Sequence, residues 1–134
     1  MSTFFFQNLF AKNLRRTVIR YVNLSNILVL RKISSKVESR FPTRQSLADA
    51  KLLLPHEMSR LENVDRKTPH ESTWVPLLWA MKLIARARKD CKVQIEAPVF
   101  SHMQSAFDNI ERNNRKLLNY GWINFPLAYT QVIH

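Results

Sequence analysis

Leu14, Val18, Val22, Ser25, Val29, Ile33 and Val37 recur every three or four positions, and Arg15, Arg16, Arg20, Asn23, Arg31 and Lys32 fall largely between them. That period predicts one long amphipathic helix from about Asn13 to Arg40. Pro42 ends it, because a proline pushes the preceding residue out of the helical region. Thr43 is an N-cap candidate for a short helix through Leu47 and Ala50. Pro55 suits a first-turn position and opens another helix, with Met58 and Leu61 on one face. A polar connection from Arg66 to Thr73 contains Pro69. The next helix runs from Trp74 to about Lys89, with Trp74, Leu77, Leu78, Met81, Ile84 and Ala85 as its apolar stripe. Lys92 to Glu96 is a connection. Pro98 then starts a helix to about Tyr120, with Met103, Phe107, Ile110 and Leu117 turned inward. Gly121 is expected to break it before a last helical segment, Trp122–His134. The expected fold class is all-α.

The two ends carry incomplete membrane signals. Met1 to Ala11 has no charged residue, yet it is too short to span a bilayer, and its basic residues follow the apolar run instead of preceding it as in a secretory signal. Leu117 to His134 has no Lys, Arg, Asp or Glu for 18 residues, the lower limit for a spanning helix, and Asn119, Asn124, Pro126 and Gln131 dilute it. Its pattern stops without a helix-stop signal, like a helix cut off.

Composition narrows the function classes. A length of 134 residues fits one domain. One glycine, Gly121, excludes glycine-rich phosphate loops and dinucleotide fingerprints. One cysteine, Cys91, excludes an intramolecular disulfide framework and a cysteine-based zinc site. Lys plus Arg number 21 against 10 Asp plus Glu, a net charge of +11. Such a balance calls for an acidic partner: nucleic acid, an anionic membrane surface or small anions. The basic residues are spread from Lys12 to Lys116 with no block, so the charge does not choose among these.

Candidate catalytic chemistry is thin. Pro-His-Glu occurs at Pro55–Glu57 and Pro69–Glu71, but a zincin would need histidine where Arg60 and Trp74 stand. The plainer reading is a proline and an acid in a first helical turn. His102 lies beside Met103 on an amphipathic helix. Cys91 follows Arg86, Arg88 and Lys89, a basic setting of the kind found around reactive thiols, but it has no histidine near in sequence. Arg31-Lys32-Ile33-Ser34 has the form of a basic-directed kinase site. No enzyme is expected.

Three stretches carry a resemblance. They are Arg15-Arg16-Thr17-Val18-Ile19-Arg20-Tyr21-Val22-Asn23-Leu24 with Ile27–Arg31 and Arg40-Phe41-Pro42-Thr43; Trp74-Val75-Pro76-Leu77-Leu78-Trp79; and Trp122-Ile123-Asn124-Phe125-Pro126-Leu127-Ala128-Tyr129-Thr130-Gln131-Val132. In order and spacing they resemble the bestrophin family. The resemblance implies an incomplete piece of a calcium-activated chloride channel, a pentamer around one central pore in the plasma membrane. Residues 1–12 would be a non-family segment in the place of the first two membrane helices. Residues 13–121 would be the helical body on the cytosolic side, and 122–134 the start of a membrane helix. The partners implied are chloride and other small anions, the lipid membrane and further copies of the subunit.

In that family an apolar residue just after a proline forms a narrow aperture at the cytosolic end of the pore. The matching position is Val99, after Pro98. A core position in its helix is the alternative. Positive charge along a wide vestibule would concentrate anions before the constriction. The family's calcium ligands have no counterpart here, so no cofactor is assigned to this chain. Without two complete membrane helices, these 134 residues are not expected to conduct alone. Two other readings remain open: a basic soluble helical module that binds nucleic acid, for which no known motif is present, and a non-conducting regulatory subunit.

Overall fold

The computed structural model describes residues 2–67 and 72–133, with side chains described over 8–67 and 72–119. The elements in chain order are α1 (Ser2–Ile33), α2 (Ser35–Arg40), α3 (Arg44–Asp49), α4 (Pro55–Lys67), a 3-10 turn (Ser72–Trp74), α5 (Val75–Lys89) and α6 (Ala97–Ile133). The fold is all-α, as expected, with no strand among the described residues.

The long first helix differs from expectation at both ends. It begins at Ser2 and stops at Ile33. Ser34 takes an extended backbone, φ −127° and ψ 119°, and its hydroxyl accepts the Val37 N–H at 3.5 Å to cap α2. A serine offers the backbone a local partner that competes with the helical ladder, and here it divides the expected helix in two. The short helix α3 follows expectation closely. Thr43 and Ser46 bond reciprocally, each side chain meeting the other's backbone N–H, which satisfies two donors that the helix start leaves over. Pro55 starts α4 as expected.

The expected break at Gly121 is absent. α6 continues without interruption to Ile133. One glycine costs a helix only about 1 kcal/mol, too little to stop it without a capping partner or a proline directly behind. His134 and the second Pro-His-Glu, Pro69–Glu71, lie outside the described residues.

With one glycine in the chain, two helices end on residues that ordinarily avoid left-handed backbone. Lys51 (φ 63°) follows α3 and Cys91 (φ 57°) follows α5. The bonding is the same at each. Leu52 N–H reaches Leu47 O at 3.0 Å and Lys51 N–H reaches Ala48 O at 3.0 Å. Lys92 N–H reaches Ala87 O at 3.0 Å and Cys91 N–H reaches Arg88 O at 3.1 Å. These pairs are Schellman closures, which favour glycine where lysine and cysteine stand.

α1 is the spine. Phe10 on α1 lies near Lys92 at the entry to α6, with the ammonium 5.3 Å from the ring centre, and Asn114 on α6 bonds to Asn26 on α1 at 3.3 Å. α6 therefore runs parallel to α1. α5 runs antiparallel to it: Tyr21 meets Trp79 edge-on at 5.6 Å, and the buried Ser25 hydroxyl donates to Thr73 O at 2.6 Å. Two apolar clusters result. One joins Leu24 and Leu28 of α1 to Leu47, Leu53, Leu61 and Val75. The other joins Leu77, Ala80 and Ile84 of α5 to Phe107 of α6, with Val18, Tyr21 and Val22 against it. Leu24 and Leu28 lie off the expected stripe because α1 is packed on two sides rather than one. Leu117, expected inward, is exposed, and so are Trp74 and Leu78.

Two outcomes check this picture by urea unfolding. Leu61→Ala, at a position with no exposed surface, should cost about 2–5 kcal/mol. Lys51→Gly should stabilise by about 1 kcal/mol by relieving the left-handed strain, while Lys36→Gly inside α2 should destabilise by a similar amount.

Candidate functional site

α6 opens with Ala97 and Pro98 in its first turn, where the ring's fixed φ and missing N–H do no harm. Arg88 holds the preceding connection: its Nε donates to Ile95 O at 2.9 Å, and its guanidinium lies over the Phe100 ring at 4.8 Å. Phe100 is thereby turned toward the α5–α6 packing, and the neighbouring Val99 is turned out. Val99 is 52% exposed and belongs to neither apolar cluster. The core alternative for this side chain does not describe the structure. Val99 and Trp122 are separated along one helix by 23 positions, or about 35 Å of rise.

An open groove of about 530 Å³ runs between α5 and α6. Trp74, Leu77, Leu78 and Met81 give it an apolar floor with Phe107, while Asp108, Glu111 and Arg115 stand along the other wall. Glu111 and Arg115 pair along α6. The exposed Trp74 and Leu78 make this an uncovered apolar surface of the single chain.

A buried ion pair lies deeper. Glu57, in the first turn of α4, is 1% exposed. Arg20 meets it with both ends of its guanidinium, Nη1 to Oε1 at 2.6 Å and Nη2 to Oε2 at 3.1 Å, and Nη1 also reaches Leu52 O at 3.2 Å. The Leu54 N–H adds a bond to Oε1 at 2.9 Å. Burial alone would push this carboxyl up. Hydrogen bonds from Arg20, the Leu54 N–H and Tyr21, with the Arg20 charge, overcome that and hold it below its ordinary value. The same setting raises Tyr21, through burial and the neighbouring Glu57. Sequence reading placed Glu57 correctly in a first turn but missed its burial, and it put Arg20 on the solvated face with Arg15 and Arg16. A partner 37 positions away leaves no local signal.

A second charged group gathers at the end of α1. Arg31 Nη2 donates to Pro42 O at 3.1 Å. Arg44, the first residue of α3, pairs with Asp65 and donates to Ser72 Oγ at 3.2 Å. Burial, with the nearby Arg31 and Arg44, pulls the Lys32 ammonium below its ordinary pKa, although Asp65 pulls the other way. Arg31 Nε and Arg44 Nη1 are buried with no acceptor among the described residues. Such a donor costs about 1–3 kcal/mol if nothing fills it.

The remaining sequence candidates stay apart. Cys91 is exposed on the α5–α6 connection, and its thiol donates to Lys89 O at 3.9 Å. Among the described residues no three His, Cys, Asp or Glu side chains converge as metal ligands. Among those residues, no helix is long and apolar enough to cross a membrane.

Against this geometry the comparisons with known proteins are consistent. The family model described as bestrophin, RFP-TM, chloride channel matches residues 6–134. Bestrophin-1 of Homo sapiens is 36% identical over 120 residues, covering 90% of this chain and 20% of the relative. Bestrophin-1 of Sus scrofa is 39% identical over 123 residues, and Bestrophin homolog 24 of Caenorhabditis elegans 32% over 124, covering 92% of this chain. The chain belongs to the bestrophin family, a family of chloride channels and not of enzymes. It spans about a fifth of the length of the curated relatives it matches. The match begins at residue 6, inside the segment 1–12 that the motifs alone set apart.

The buried pair sets a pH dependence. Glu57's stabilisation is complete above its unfolded pKa, about 4.3, and is lost as pH falls through the lower folded value. Urea unfolding between pH 7 and pH 3 should show stability falling below about pH 4. Glu57→Gln should cost about 3 kcal/mol at pH 7, because Arg20 stays half-buried without its counter-charge, and should flatten the acid limb.

Proposed function

We propose that this chain is part of a subunit of a bestrophin-type chloride channel and supplies a helical body on the cytosolic side of the plasma membrane. The observation that carries the reading is the match of residues 6–134 to a family of chloride channels. Subunits assemble around a central pore, five in number on the family resemblance, and the apolar surface at Trp74 and Leu78 is covered in the assembly. Residues 122–134 lead into a membrane helix.

Val99 forms the aperture. A ring of valine side chains offers a permeating anion no hydrogen-bond donor, so passage depends on size and on how readily the ion sheds water. Rigidity suits the role. Val99 sits one residue past a helix-opening proline, next to a Phe100 held by Arg88. A net charge of +11 raises the local anion concentration on the approach. No step in conduction needs a catalytic group, and calcium dependence is assigned to none of these residues.

The nucleic-acid alternative, which would use the basic cluster Arg15, Arg16 and Arg20, loses one of the three. Arg20 is committed to Glu57 and Leu52 and is not offered to a phosphate backbone.

In channels that contain this chain, Val99→Ala should shift permeability toward larger anions severalfold relative to chloride, with assembly size unchanged. Bi-ionic reversal potentials measure the ratio and size-exclusion chromatography the assembly. Unchanged ratios would remove Val99 from the pore.

A further inference from the structure

We propose that Ser34 is a phosphorylation site for a serine kinase that selects basic residues, and that its phosphate takes Arg31 from the Pro42 carbonyl. An arginine three residues ahead of a serine or threonine occurs at two places in the chain, Arg31 before Ser34 and Arg40 before Thr43. The first also has Lys32 two residues ahead, so an acidic kinase cleft meets two cations there and one at Thr43. The structure separates the two further. Thr43 is held by reciprocal bonds with Ser46, and Pro42 stands directly before it. Ser34 lies at the break between α1 and α2, and its hydroxyl accepts one N–H, that of Val37, at 3.5 Å.

Access follows from how little holds α2. The helix has six residues, none of them buried, and is too short to persist without tertiary contacts. Ser35, Lys36, Glu38 and Ser39 are all exposed. Such a segment opens at lower cost than the long helices around it. Opening at Ser34 uncovers the last turn of α1, which carries Arg31 and Lys32. In the transfer, Ser34 Oγ attacks the terminal phosphorus of a nucleoside triphosphate and the bond to the bridging oxygen breaks. The nucleoside diphosphate leaves, and the hydroxyl proton passes to a carboxylate of the kinase.

The modification changes what the corner holds together. Ser34 N–H bonds Leu30 O at 2.8 Å, so residue 34 stays on the ladder of α1, one turn beyond Arg31. Side chains three apart on a helix start about 5–6 Å from each other. Arg31 Nη2 donates to the neutral Pro42 O at 3.1 Å. A phosphate one turn away carries the opposite charge, which a carbonyl does not, and is the stronger acceptor for a guanidinium. The exchange unties the 41–43 connection from the end of α1.

The test treats the purified full chain with magnesium ATP and a serine/threonine kinase selective for arginine three residues before its target. Peptide mass spectrometry maps the label. One phosphate per chain, on Ser34, is expected. Ser34→Ala should remove it, Arg31→Gln should slow it tenfold or more, and Thr43→Ala should not lower the rate. Unfolding cannot imitate the Arg31→Gln result, since a chain opened by the substitution would be labelled faster. Limited trypsin digestion, with fragment ends mapped after Arg40, reads the consequence. The phosphorylated chain should be cut there severalfold faster than the unmodified chain. Unmodified Arg31→Gln, which lacks the same bond, should also be cut faster. Neither readout involves chloride conduction. The proposal is overturned if a kinase active on a reference peptide leaves Ser34 unmodified or labels Thr43 instead. It is equally overturned if the phosphate leaves cleavage after Arg40 unchanged.

Discussion

The ion pair between Arg20 and Glu57 is the constraint on which the arrangement of helices turns. It ties the middle of α1 to the start of α4, and the Arg20 bond to Leu52 O secures the turn between α3 and α4. The Glu57 carboxylate is 2% exposed, so its charge is tolerable only because a bidentate guanidinium and a backbone N–H meet it. Its neighbour Tyr21 carries the connection onward, with the Arg20 guanidinium 4.8 Å from its ring and Trp79 of α5 at its edge. Both apolar clusters border this chain of contacts. The pair therefore fixes how α1 is rotated, which decides which residues face α3 and α4 and which face α5 and α6.

That rotation reaches the proposed aperture through α5. Arg88 near the end of α5 grips Ile95 O and Phe100, so the direction in which α6 leaves the connection depends on where α5 lies. Val99 is held outward by this arrangement, at the start of a helix that runs unbroken to Ile133. A stiff helix with an exposed valine at one end suits a pore constriction better than a valine on a loop would. The charge excess is not uniform in purpose: Arg20 is structural, Arg88 positions the α5–α6 connection, and Arg31 and Arg44 hold the Pro42 carbonyl, Asp65 and Ser72 around the start of α3.

Much of the helical order was legible in the chain. Pro42, Thr43, Pro55 and Pro98 mark boundaries through local backbone chemistry, and each boundary stands within a residue or two of expectation. Met103, Phe107 and Ile110 face inward as their spacing implies. What was not legible depends on distant partners or close competitions. Ser34 splits a helix that periodicity alone would continue, and Gly121 fails to split one. Leu24 and Leu28 are buried because α1 has neighbours on two sides, which a single stripe cannot reveal. The Arg20–Glu57 pairing spans α1 and α4, and neither residue's sequence surroundings point to the other. Family membership was legible because three separated motifs occur in register. The exposure of Val99 required the fold, since the same periodicity suits a core residue.

The most direct measurement uses thiol accessibility in conducting channels that contain this chain, with Cys91→Ser as the background because Cys91 is itself exposed. Val99→Cys is treated from the cytosolic side with a charged thiol reagent while chloride current is recorded. The account predicts a rapid and large change in current, which permeating anions slow by competing for the constriction. Complete labelling of that cysteine with no change in current would contradict a place for residue 99 in the conduction path.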